Sequence, residues 1–230
     1  MRPSTSESPK GLVKQFFGKN ARSYDWVVRL TTFGQDARWK EEIVKRIIKC
    51  ESALDLACGT GILTLTIAEK FPCAEITGVD ITKEYLEVAM HKLGPGQKVS
   101  FFLHDAEDLN LGCVFDCVTS SYLPKYCNPQ TLIETCLRHI NDKGKIILHD
   151  FTYPKNRAVR LWWNLYFLVL KLFGIIAPDW REVFRHLPWL IRSSDWIAQY
   201  KKVMERNGLR VEIKYMTMGC SAVLAGTKKV

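Results

Sequence analysis

No two cysteines in this sequence are spaced as CxxC, although there are eight of them. The commonest spacing for a structural zinc site or a redox dithiol is therefore missing. No acidic cluster stands at metal-ligating spacing either, and no bound metal is expected. The opening residues carry no apolar run of the kind a secretory signal needs. Cys50, Cys58, Cys73, Cys113, Cys117, Cys127, Cys136 and Cys220 are accordingly expected to be free thiols in a reduced, cytoplasmic protein. Several lie in apolar runs such as residues 113–118, where free cysteine behaves as a small core residue. There is no repeat or low-complexity block. Polar Asn164 and Lys171 break the longest apolar stretch, so the roughly 20 clean apolar residues of a bilayer span are not met.

What is present is an ordinary globular mixture, 47% hydrophobic and 25% charged, over 230 residues, enough for one α/β domain with a full core. The net charge of +9 is less ordinary. It suits an acidic partner such as nucleic acid, an anionic lipid surface or a phosphorylated or carboxylated substrate, and it also fits solubility alone. No appended RNA-binding module is visible, so nucleic acid is not the expected partner.

Residues 1–10 are polar and rich in Pro and Ser, a tail expected to be disordered, ahead of a single domain over 11–230. Helical spacing of apolar residues runs through 11–49 and is clearest over 39–49. Strands are then expected at 53–57, 76–79, 99–103, 115–119 and 145–149. Helices fall between them at 62–70, at 83–92 behind the capping residue Thr82, and at 130–140. Such alternation implies a mostly parallel sheet covered on both faces. Residues 156–207 form a helical insertion, and two last strands, 209–216 and 221–227, close a seven-stranded sheet with an antiparallel edge.

The main motif is Asp55-Leu-Ala-Cys-Gly59-Thr60-Gly61 at the end of the first strand. Glycines there let the backbone turn sharply and approach a ligand. Thr64 stands where the third glycine of a dinucleotide fingerprint would be. Asp55 is placed to take an ammonium group, Asp80 at the second strand's end to take ribose hydroxyls, and Asp105-Ala106 after the third strand to accept from an adenine amino group. Together these describe a nucleoside bearing an amino acid, as S-adenosylmethionine (SAM) is. A dehydrogenase would share the Asp80 logic but leaves Asp55 unexplained. The bland alternative makes Asp55 and Asp80 turn or cap residues.

The motif order resembles class I SAM-dependent methyltransferases with a Rossmann-like fold. More closely, it resembles the ubiquinone/menaquinone biosynthesis C-methyltransferases (UbiE/MenG type). The likeness is carried by Val13-Lys14-Gln-Phe16-Phe17, Ser23-Tyr24-Asp25, Phe33-Gly34, Arg38-Trp39-Lys40, Asp116 to Ser120, His149 to Pro154 and Met216 to Gly219. The resemblance implies SAM contacts at Thr60, Asp80, Asp105, Ala106 and Ser120, and a polyprenyl quinol as methyl acceptor. Pro124-Lys125 stand where that family typically has an Arg-Asn pair serving substrate chemistry, and the asparagine expected shortly after Tyr24-Asp25 is absent. Carbon methylation of a hydroquinone needs a base for the phenolic proton. The candidates are Tyr24, Tyr122 and His149, with His104 and Lys125 nearby. The apolar stretch 161–176, with its Trp162-Trp163 pair and basic neighbours Lys155, Arg157, Arg160 and Arg181, reads either as a helix packed across the sheet or as a lid or membrane-surface helix over the acceptor. The oligomeric state is left open.

Overall fold

The computed structural model describes residues 18–228. The expected tail at 1–10 and the family-like stretch at Val13 to Phe17 lie outside them. Seven strands form one sheet: β1 (Ser52–Leu56), β2 (Glu75–Asp80), β3 (Val99–Leu103), β4 (Phe115–Ser121), β5 (Ile140–Phe151), β6 (Leu209–Met216) and β7 (Ser221–Lys228). Their order is β3-β2-β1-β4-β5-β7-β6. The first five are parallel, and β7 enters between β5 and β6, antiparallel to both. The chain moves outward from β1 to β3 and then returns to β4 on the other side of β1. The crevice at the carboxyl ends of β1 and β4 is thus the switch point at which open α/β sheets bind ligands.

Eight helices accompany the sheet: α1 (Tyr24–Thr31), α2 (Gln35–Lys45), α3 (Ile62–Lys70), α4 (Lys83–His91), α5 (Pro129–Arg138), α6 (Arg157–Ile176), α7 (Arg181–Ser193) and α8 (Trp196–Arg206). Side chains alternate across a strand, and β1 shows the consequence. Leu54 and Leu56 join Leu132 and Ile133 of α5 and Trp196 and Tyr200 of α8. Ala53 joins Ile43 of α2 and Leu63 and Ile67 of α3. The helix starts follow local chemistry. Asn128 accepts from the N–H groups of Gln130 (2.9 Å) and Thr131 (3.2 Å), with Pro129 at the first helical position. β5 begins earlier than the sequence pattern places it. Ile140, expected to end the preceding helix, instead opens the strand and pairs with Phe115 before the register slips.

The insertion is not one cover. α8 packs beneath the sheet as an ordinary flanking helix. α6 and α7 form a separate cluster with α1, in which Trp163, Phe167 and Leu170 of α6 meet Val183 and Phe184 of α7 and Val27 of α1.

Candidate active site

The glycine loop leaves β1 through three residues in the left-handed region: Ala57 (φ 54°), Gly59 (φ 57°) and Gly61 (φ 80°). At Gly61 the requirement is double, because a side chain there would also press on Ala89 Cβ at 3.1 Å. Ala57 holds the same conformation with a Cβ, a strain found mainly where function fixes the backbone. The loop opens onto a cleft that Tyr24, Asp80, Tyr122 and Trp180 also line.

One end of the cleft is lined by acidic residues from the ends of β2 and β3. Asp80, at the end of β2, accepts from the backbone N–H groups of Gly59 and Thr82, both at 2.8 Å. Burial pushes its carboxyl pKa up against those bonds. Asp105 and Ala106 line the same end, with Asp105 Oδ1 accepting from Glu107 N–H at 2.9 Å. Thr82 occupies the N-cap of α4, as expected, but its side chain caps nothing. Its hydroxyl is buried beside the Asp80 carboxylate, and the residue lines the cleft. The sequence marked Thr82 as a helix cap and not as a cleft residue, and it did not single out Tyr85, which lines the cleft as well. Only the position of Thr82 two residues past Asp80 could have signalled it.

A smaller cleft adjoins the first and shares Tyr24, Ala57, Gly59, Ser121 and Tyr122 with it. Asp55 and Thr60 line only this smaller one. Like Ala53, Asp55 points to the α2/α3 side, where its two oxygens accept from Thr64 Oγ1 (2.7 Å) and Thr119 Oγ1 (2.8 Å). Burial lifts its pKa to about 6 despite these bonds. Thr60 donates to Asp25 at 2.5 Å, and Lys92 bonds both Asp25 and the Thr60 carbonyl, which ties α1 to the glycine loop. Gly61 and Ser120 line neither cleft. Ser120 is buried in β4, with its hydroxyl on the Leu56 carbonyl at 2.7 Å. Its expected cofactor contact is therefore not made by the side chain, whereas the next two residues do reach the cleft.

The base candidates separate by position. His149 is fully buried, its Nδ1 on Ser121 Oγ and its Nε2 on Ser221 Oγ, both at 2.8 Å. It touches neither cleft, and burial holds its pKa well below the usual range. As a direct base it is ruled out by packing. Tyr24 and Tyr122 line both clefts. Burial raises both phenols well above 10, so each enters as a neutral donor. Tyr122 has φ 70° and donates to Asp36 Oδ1 at 2.6 Å, and Asp36 in turn is paired with Lys40 one turn along α2. Lys125 faces the cleft too. Its ammonium bonds the Tyr122 carbonyl and Asp150 Oδ1, both at 2.7 Å, in a pair that is almost wholly buried. His104 sits exposed on the rim.

The apolar cover over the cleft comes from Trp180 and from Val183, Phe184 and Leu187 of α7, facing Val28 of α1. This corrects the expectation for 161–176, none of which lines the cleft; α6 is the layer behind. The Trp162-Trp163 pair is also split, Trp163 buried at 6% and Trp162 exposed at 70%. Trp180 stacks on Tyr24 (5.9 Å) and Phe184 (5.6 Å), joining the cover to the catalytic end.

A family model described as the ubiE/COQ5 methyltransferase family matches residues 4–228. The chain belongs to that family. A demethylmenaquinone methyltransferase of Thermus thermophilus is 28% identical over 218 residues, covering 92% of this chain and 99% of the relative. One from Thermotoga maritima is 25% identical over 221 residues, covering 92% and 94%. Among solved structures, magnesium protoporphyrin IX methyltransferase (ChlM) from Synechocystis with bound SAH superposes with a TM-score of 0.65 at 19% identity, covering 96% of this chain and 100% of that one. The protein is thus a SAM-dependent methyltransferase with a Rossmann-like fold. The residues present are compatible with its cofactor: the Asp80 carboxylate, the Thr82 side chain and Asp105 line one cleft, and the buried Asp55 carboxylate lines the adjoining one.

Proposed function

We propose that this methyltransferase methylates a ring carbon of a polyprenyl quinol of the demethylmenaquinol type. The observation that carries the reading is a proton path opening into an apolar cleft: Tyr122 to Asp36 at 2.6 Å, with Asp36 fixed by Lys40. The names of the relatives in the two Thermus and Thermotoga species support the same acceptor.

When bound, SAM supplies a methyl group on a sulfonium, an electrophile that needs a correctly aimed, electron-rich carbon. On this reading Asp80 and Thr82 hold the ribose, Asp105 and Ala106 the adenine, and Asp55 the ammonium, with Gly59, Thr60 and Gly61 shaping the loop around them. Tyr122 accepts the acceptor's phenolic proton as its own passes to Asp36, and the ring carbon becomes nucleophilic. Tyr24 and Trp180 position the ring. Lys125 stands in the place of the family's Arg-Asn pair and keeps a cation at the cleft wall, where its bond to the Tyr122 carbonyl holds the strained turn. Trp180, Phe184 and Leu187 keep water from the reacting carbon. Residues 11–230 act as one unit in the cytoplasm.

Incubation with SAM carrying a deuterated methyl group, against separate lipid, RNA and protein fractions, tests the substrate class. Label is expected in one quinone-type lipid. Label in RNA or protein, with none in lipid, would contradict the reading.

A further inference from the structure

α6 has two faces. Trp163, Phe167, Leu170 and Gly174 are buried against the neighbouring helices. The opposite stripe, with Leu161, Trp162, Leu168, Leu172, Ile175 and Ile176, is exposed along the full helix, a length of about 30 Å. Phe33 extends it from the end of α1, 80% exposed, with its ring 6.1 Å from that of Tyr166 on α6. Soluble surfaces rarely carry a contiguous apolar patch of this extent without a partner. α6 contains no acidic residue, and residues 155–192 hold seven Lys and Arg against two acids. Exposed Arg157, Lys171 and Arg181 flank the stripe.

We infer that this face docks the enzyme on an anionic lipid bilayer, with α6 lying in the plane of the interface. Contrary to the sequence reading, the helix passes by length and composition for a membrane span even with Asn164 and Lys171 in it, but its buried stripe is fastened into the fold, so it lies on the surface. Charge selects the occupant. A net +9 repels a second copy and attracts anionic headgroups. The purpose of the docking rests on the quinol reading. α1 lines the cleft with Val28, Thr31 and Thr32 while carrying Leu30 and Phe33 outward. A prenylated acceptor therefore passes from bilayer to cleft along α1 without crossing water.

The test is co-sedimentation of the full chain with vesicles of phosphatidylcholine alone, or of two parts phosphatidylcholine to one part phosphatidylglycerol, with no quinol present. Binding is expected on the anionic vesicles and should weaken as salt shortens the Debye length from about 10 Å at 0.1 M to about 3 Å at 1 M. The double change Leu168→Glu and Leu172→Glu, at exposed positions, should lower partitioning at least about tenfold. S-adenosylhomocysteine affinity and the thermal midpoint should stay as in the parent. The inference is overturned if the parent ignores both vesicles or the double variant binds equally well. It is equally overturned if light scattering finds a dimer that the double change dissolves, with no vesicle binding. Methylation of a short-chain quinol in solution separately reports on the substrate reading, so the two fail independently.

Discussion

On the proposed reading the chemistry turns on Tyr122, whose hydroxyl joins the cleft to the buried Asp36–Lys40 pair. Tyr122→Phe keeps the ring contacts and removes the proton path. It should lower kcat by about 10²–10⁴-fold, the usual range for acid–base groups, and leave S-adenosylhomocysteine affinity nearly unchanged in a calorimetric titration. Asp36→Asn is a poorer probe, since breaking a buried pair costs about 3–5 kcal/mol of stability. Asp55 offers a test by pH. Burial lifts its folded pKa to about 6, above the ordinary carboxylate range, so the native state binds its proton more tightly than the unfolded chain does. That contributes on the order of 3 kcal/mol of stability below pH 4, and the contribution is lost as pH rises through 6. An incoming ammonium favours the ionised form, so SAM should bind more tightly as pH rises across 6, releasing up to one proton. Asp55→Asn should flatten both dependences in melting and in calorimetry at several pH values. An unchanged slope in the variant would remove Asp55 from the amino-acid end. Asp55, Asp80 and Asp105 were readable in the sequence because strand ends fix where they stand. Asp36 and Lys40 were not: an i, i+4 acid–base pair ordinarily marks a solvated helix face, and only the packing of α2 against Tyr122 buries it.

The strands and most helices followed directly from the sequence, because apolar runs of period two flanked by Gly, Asn and Pro leave few alternatives. The insertion did not. Apolar residues recur at helical spacing all along 156–207, and periodicity cannot tell which of three successive helices faces the cofactor. α7 takes the cover because Trp180 anchors its start to Ser23 and Tyr24, through Nε1 to Ser23 Oγ at 3.0 Å and through ring stacking. Leu187 is the half-buried edge of that cover. Leu187→Ala should raise KM for a prenylated quinol by roughly five- to tenfold, the effect of about 1 kcal/mol of lost apolar contact, with SAM affinity unchanged. Steady-state kinetics with each substrate varied in turn checks this. An equal loss for both substrates would mark α7 as part of the cofactor wall.

At the scale of the whole molecule, the sheet order puts a cofactor end and an acceptor end in one crevice. The two meet at Ala57 and Tyr122, both held in the left-handed region. The seven-stranded topology specifies a methyl-transfer scaffold and no acceptor, as the ChlM likeness at 19% identity illustrates. On the proposed reading, the apolar cover and the Tyr122–Asp36 proton path together select the acceptor. The most direct measurement is product analysis after incubating the purified enzyme with SAM and a reduced polyprenyl naphthoquinol lacking the ring methyl. The account predicts one S-adenosylhomocysteine per quinol consumed, with the new methyl on a ring carbon by NMR. A methyl on oxygen, or no turnover while SAM remains bound, would contradict it.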